Sequence, residues 1–245
     1  MTTSIYLDGK HPSFKDFISL GLSCPFAKAL SQWLHEGFAL WIHNKLNNQL
    51  ISWRFWAVGS DKGKRMLYWG IMKDSSDSIG RPYPLMILAR SKLNDLSKHW
   101  VTLPTILNNS WTLMEHIGVN NFDGMNDMQQ ILKRLLESVS NLTNCFNEKF
   151  NAKQNSDIRT LASKITYNSK NKVLKLPLEE SDSDPSNLSL LYKLINNQVQ
   201  IMPRIVFAGG SNKQPYLYLF YRPLVLNDFV MLWSSYKKDS QENES

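Results

Sequence analysis

Cysteine is almost missing from this chain: 245 residues carry two, Cys24 and Cys145, far apart. That spacing makes neither a disulfide framework nor a metal-ligand pair, and both read as free thiols of a reducing compartment. The five histidines, His11, His35, His43, His99 and His116, form no metal-ligand pair at helical spacing. There is no Gly-x-Ser-x-Gly elbow; Gly21-Leu22-Ser23-Cys24-Pro25 lacks the closing glycine. There is no glycine-rich loop ending in Lys-Ser or Lys-Thr, so a phosphate cradle of that kind is excluded. Every apolar run falls well short of the roughly 18 residues that cross a membrane. Met1-Thr2-Thr3-Ser4 has no basic stretch followed by an apolar one, so no signal peptide is expected. A soluble cytoplasmic protein without cofactor, metal or membrane insertion is the expectation.

Charge is present but not concentrated. The net charge is +7 and the pI about 9.3, which attracts acidic partners. Lys62, Lys64 and Arg65 form the one tight basic cluster, in a turn around Gly63, and there is no basic tail. A nucleic-acid binder would interleave such clusters with aromatics, so no nucleic-acid partner is expected.

Apolar residues are plentiful: 42% of the chain, with eight tryptophans and eleven phenylalanines. That supports one sizeable core. Ile5 to Leu7 reads as a short strand, followed by a loop and a brief turn near Phe14 to Leu20. Pro25 suits a first helical position. Phe26, Leu30, Trp33, Leu34, Phe38 and Trp41 then recur at helical spacing. Ile51 to Val58 alternates as a strand, with Ile51, Trp53, Phe55 and Ala57 on one face and Ser52, Arg54, Trp56 and Val58 on the other. Met66 to Met72 returns as its hairpin partner, and Leu85 to Ala89 is a third strand entered through Pro82 and Pro84.

Leu93 to Glu115 reads as helix in two pieces, broken near Pro104. After Asp123-Gly124, the stripe Met128, Leu132, Leu135, Val139, Leu142 and Phe146 predicts a long helix. It suits burial against the body of the same domain and leaves a homodimer seam open. Residues 151–187 are polar and aromatic-poor and read as a variable, partly loop-like insertion, with helix over Ile158 to Ile165. Ser181 to Ser186 is expected to be an exposed loop. A helix over Leu188 to Ile195 follows. Ile201 to Phe207 and Tyr216 to Tyr221 predict two strands joined through Gly209-Gly210-Ser211, and Leu224 to Trp233 closes the domain. The expected organisation is a single domain over 1–235 with a flexible tail, 236–245. The expected architecture is one mixed, largely antiparallel sheet with helices around it.

The chemistry-bearing residues gather in Ser75-Ser76-Asp77-Ser78-Ile79-Gly80-Arg81-Pro82-Tyr83-Pro84-Leu85, a loop between two strands. It carries an acid, an arginine and an aromatic where turn residues would suffice. Asp74 and Asp77 admit two readings. They are a carboxylate pair for a hard cation in a hydrolase or phosphatase-like enzyme, or turn aspartates that bond their own backbone and pair with Arg81. Cys24, at a helix start, is a cap or core residue, since no base accompanies it. Arg54, Arg81, Arg204 and Arg222 are candidates either for partner recognition or for internal ion pairs.

These residues resemble the TagF family, also called ImpM, of bacterial type VI secretion. Gly9-Lys10, Pro12-Ser13 and Asp16-Phe17 match its Gly-Lys-x-Pro-x-x-Gly-Asp-Phe run, with Lys15 in place of the glycine before Asp16. Trp53-Arg54-Phe55 resembles its Trp-Arg-Phe strand. Ser75-x-Asp77-x-x-Gly80-Arg81-x-Tyr83-Pro84-Leu85 is similar to its most specific block, with Asp74 where the family has proline. Gly209-Gly210-Ser211 and Tyr221-Arg222-x-Leu224 resemble a weaker late block. The resemblance covers about residues 5–110 and 200–233. It implies a three-layer αβα sandwich and a non-enzymatic cytoplasmic repressor that binds a forkhead-associated-domain scaffold protein and holds assembly off. The partner-binding residues it points to are Gly9, Pro12, Asp16, Phe17, Arg54, Ser75, Asp77, Gly80, Arg81, Tyr83 and Pro84.

Overall fold

Residues 3–42, 50–92, 96–140, 172–179 and 184–234 are described by the computed structural model. They form an eight-stranded sheet. Its strands are β1 (Ser4–Gly9), β2 (Ile18–Gly21), β3 (Ile51–Asp61), β4 (Lys64–Lys73), β5 (Leu85–Ser91), β6 (Val173–Pro177), β7 (Ile205–Ser211) and β8 (Gln214–Phe220). The spatial order is β2-β1-β5-β4-β3-β7-β8-β6. Every pairing between these strands is antiparallel, so the mixed sheet allowed by the sequence reduces to an antiparallel one among the described residues.

The β3–β4 hairpin turns through Lys62 (φ 50°) and Gly63 (φ 76°). Two consecutive left-handed residues match the twist of the flanking strands. The alternation read along β3 holds. Trp53, Phe55 and Ala57 join a cluster with α1 (Pro25–Ile42) and α6 (Leu226–Trp233). Trp56 joins the other cluster, with α3 (Leu103–Ile117), α4 (Met125–Ser140) and α5 (Pro185–Val199). In α1, Leu30, Trp33, Leu34 and Trp41 are buried as their spacing predicts, and so are the small residues Ala27 and Gly37. In α4, Met128, Leu135 and Val139 are buried in the body of the protein.

Several expectations need correction. The turn expected near Phe14 to Leu20 runs into β2, an edge strand too short for its alternation to register. Within the polar segment 151–187, Val173-Leu174-Lys175-Leu176-Pro177 is a strand, with Leu174 and Leu176 buried. Its period of two is visible once the surrounding composition is ignored. Of the loop expected over 181–186, the described residues belong to a helix start: Asp184 caps α5 by accepting from Ser186 N–H (2.8 Å), and Pro185 opens the helix. Gly209 and Gly210 do not form the turn between the last strands but lie inside β7. Glycine is needed there because a Cβ on Gly209 would come 2.4 Å from the Ser52 carbonyl oxygen of β3. The helix break near Pro104 lies just before it, in a 3₁₀ turn over Trp100–Thr102 that joins α2 (Leu96–His99) to α3. His43, Cys145, Leu142, Phe146, the helix expected over Ile158 to Ile165 and the tail 236–245 lie outside the described residues.

Candidate partner-binding site

The Ser75–Leu85 loop is itself a small hairpin. Ser76 and Pro82 form an isolated bridge, Asp77 N–H donates to Arg81 O (3.2 Å), and Tyr83 N–H donates to Ser75 O (3.0 Å). Gly80 supplies the left-handed turn residue (φ 83°), its N–H donating to Asp77 O (2.9 Å). Pro82 and Pro84 stand at the entry to β5, where no ladder donor is required.

Asp77 organises this hairpin from the inside. The residue is 2% exposed. One oxygen accepts from Ile79 N–H (3.2 Å) and Arg81 N–H (2.8 Å). The other accepts from Arg81 Nε (2.6 Å) and Lys10 Nζ (2.9 Å). Burial by itself would raise the carboxyl pKa. The Lys10 ammonium and the Arg81 amide and guanidinium overcome that and hold it well below the usual carboxylate range.

The same cations fasten the first loop to the second. Lys10 Nζ also donates to Arg81 O (3.3 Å), and Arg81 Nη2 donates to Lys15 O (2.8 Å). Ser78 N–H donates to Phe14 O (2.9 Å). Gly9 (φ 131°) lets the two backbones touch: a Cβ there would lie 2.2 Å from Pro84 O. Lys15 is not among the residues of positive φ, so the lysine at the family's glycine position needs no special backbone. Asp16, its side chain 89% exposed, lies 3.9 Å from Arg81 Nη2 and stays at the rim. Phe17, 47% exposed, stands edge-on to Tyr83 (4.9 Å), which also meets Phe38 edge-on (5.1 Å). Burial pushes the Tyr83 phenol up, with Asp8 and Tyr6 adding to it.

Gly9, Asp16, Phe17, Ser75, Asp77, Gly80, Arg81, Tyr83 and Pro84 thus come together as one pair of loops. Pro12, Ser75 and Tyr83 line a cavity of about 360 Å³ beneath it. Arg54 is elsewhere. Its guanidinium holds Glu115 with two bonds (2.6 and 2.8 Å) and Asn108 with a third (3.1 Å), in the Trp56–Trp111 layer. It lines a separate cavity of about 560 Å³ with Ser52, Gly209 and Ser211. Arg222 likewise grips Asp228 bidentately (2.6 and 2.7 Å).

Asp74 turns away from Asp77. Its oxygens accept from Trp233 Nε1 (2.8 Å) and Ile51 N–H (3.2 Å). Among the described residues no group of three or more His, Cys, Asp or Glu side chains could hold a metal ion. Cys24 is buried at the head of α1, its carbonyl accepting Lys28 N–H (2.9 Å), in keeping with a cap.

Sequence reasoning missed Lys10 as a partner of Asp77, although it quoted the residue within the first motif. It also missed His11, which is fully buried between Phe14 and Phe122. Nε2 donates to Ile117 O (2.8 Å) and Nδ1 accepts from Ser13 N–H (3.2 Å), the pattern of a neutral ring. Burial lowers its pKa most, the Ile117 carbonyl opposes that, and Lys73 adds to it. No periodicity or motif marks that histidine in advance.

A family described as "TagF N-terminal domain, Type VI secretion system-associated" matches residues 7–138. The chain belongs to this family. The TagF match therefore spans β1 to α4 and includes both loops of the site. Among solved structures, the fold is similar to that of PA0076 from Pseudomonas aeruginosa PAO1, determined by crystallography at 2.05 Å resolution. The identity is 14%, the TM-score 0.53, and 96% of each chain is covered. No curated protein matches the chain. Among the described residues of this TagF-family chain, no helix is long and apolar enough to cross a membrane.

Proposed function

We propose that this TagF-family chain is a non-enzymatic, cytoplasmic accessory protein of the type VI secretion apparatus. In this reading it binds a forkhead-associated-domain scaffold protein and holds assembly off. The observation that carries the reading is the state of the motif residues. Asp77, Lys10 and Arg81 are used up on one another and on backbone, so the site presents a built surface rather than a reactive group. A regulator that works by sequestration needs such a surface. The partition of the core into two clusters, each with its own helices, supports a three-layer αβα sandwich as the frame. The β3–β7 pairing supports a single domain over 1–235.

The test separates binding from folding. Asp77→Ala would strand the Lys10 cation and loosen both loops, so loss of binding there would be ambiguous. Asp16 is exposed at the rim. Asp16→Lys should leave the melting temperature within about 1 °C, as for an ordinary surface change. It should weaken capture of the purified scaffold by roughly tenfold or more, the scale of charge reversal at an interface. Undiminished capture by Asp16→Lys and by Phe17→Ala together would remove these loops from the binding face.

A further inference from the structure

The cavity beneath the motif hairpin has a feature that the loop-pair surface does not explain. Its lining includes Phe38, Tyr83 and Val119 on the apolar side and Lys73, Asp74 and Ser75 on the polar side. Lys73 ends β4, half-buried. Among the described residues its ammonium makes one hydrogen bond, to Gly118 O (3.3 Å), and no ion pair. Its stem lies against Gly118, where an added Cβ would come 3.0 Å from Lys73 Cδ. The cation is therefore held in place but poorly compensated. Burial lowers its pKa, with Glu115 and Asp74 opposing. Neither acid closes on it: Glu115 is clamped by Arg54, and the Asp74 oxygens are occupied by Ile51 N–H and Trp233 Nε1. Ser75 Oγ, two residues on from Lys73, is buried with no hydrogen-bond partner among the described residues. A buried hydroxyl without a partner is costly and marks a place where an acceptor fits.

We propose that this cavity receives an acidic side chain of the partner protein. Its carboxylate sits on Lys73 Nζ, and its aliphatic stem lies between Tyr83, Phe38 and Val119. A rotation of Ser75 about χ1, between staggered wells, gives its hydroxyl the same carboxylate. The apolar walls decide between a protein side chain and a free anion. Val119 is 61% exposed at the mouth, and an inorganic ion gains nothing from it, whereas a glutamate stem or its apolar neighbour buries surface there. A chain of net charge +7 also favours an acidic partner in the long-range field. The inference rests on the sequestration reading above and names the chemistry its site selects.

Two measurements on the full chain test it. In the first, the ¹⁵N-labelled protein is titrated with acetyl-Ala-Leu-Glu-Leu-Ala-amide and with its glutamine counterpart. Saturable amide shifts at Lys73, Ser75, Ser76, Gly118 and Val119 are expected with the glutamate peptide. Affinity should fall about tenfold with the glutamine peptide or in Lys73→Met, and be kept in Lys73→Arg, as for a charge-assisted bond. Lys73→Met keeps the stem packing, and an unchanged spectrum elsewhere confirms its fold. Equal binding of both peptides, no saturable shift, or acetate alone binding as tightly as the peptide overturns the proposal. In the second, capture of the forkhead-associated scaffold should drop in Lys73→Met; equal capture overturns the placement of the partner in this cavity. A scaffold that fails to bind the unmodified chain sinks the sequestration reading instead, and the peptide titration still decides this one.

Discussion

Asp77 shows how a single carboxylate can set the geometry of two loops. It takes four donors, from Lys10, Ile79 and Arg81, while nearly sealed from water. Because its folded pKa lies below the unfolded value of about 3.9, the unfolded chain takes up a proton first on acidification. The stability it contributes is whole above about pH 4 and is lost as pH falls through the lower folded value. Melting curves of Asp77→Asn should therefore sit below wild type by a constant margin from pH 5 to 8, and the gap should close only well below pH 4. A gap that closes between pH 5 and 7 would place the dominant interaction elsewhere. Much of this was legible: Asp and Arg four residues apart, around a glycine, read as a turn with an internal ion pair. Lys10 was not, because a neighbour supplied by a distant strand end leaves no trace in local spacing. The same limit hid His11, whose partners Ile117 and Phe122 come from the far end of α3 and the loop beyond it.

At the level of elements, amphipathic periodicity located α1, β3, β4 and β5 because each has a large apolar face to count. It failed where contact is made by small residues. Gly37 lies inside α1, where alanine is worth about 1 kcal/mol more than glycine in helix propensity. Yet a Cβ at Gly37 would come 2.4 Å from both Cβ and Cγ of Phe229 in α6. Overpacking of this kind costs about 1–3 kcal/mol. Gly37→Ala should then lower stability in urea denaturation by up to about 2 kcal/mol, against the direction of propensity; a stabilised variant would mean that α6 shifts freely. The glycines of β7 misled in the opposite way. They looked like a turn because composition cannot tell a glycine that bends the chain from one that lets a neighbouring backbone come close.

Across the whole molecule, β3 is the seam. One of its edges pairs with β4 inside the TagF match; the other pairs with β7 beyond it. Phe55 and Trp53 pack on Phe207 and Tyr218, which lie outside residues 7–138. A fragment ending at Ser140 would expose the β3 edge and half of that aromatic layer. It should bind a hydrophobic dye strongly and sediment as aggregate, whereas the full chain should do neither; a monomeric, cooperatively melting fragment would show the seam to be dispensable. No local signal announces this pairing, since the two strands are separated by most of the chain.

The outer strands of the sheet have a further consequence. Among the described residues the long strands are interior, and the sheet finishes on stubs, four residues in β2 and five in β6. The second stub ends in Pro177 and carries Lys175 over the Tyr216 ring (4.3 Å). Stubs of this kind offer little backbone for an incoming strand to zip onto. A visiting protein is left to dock side chain against side chain, so its selectivity would be written in the shape and charge of a few contacts, not in a run of main-chain amides.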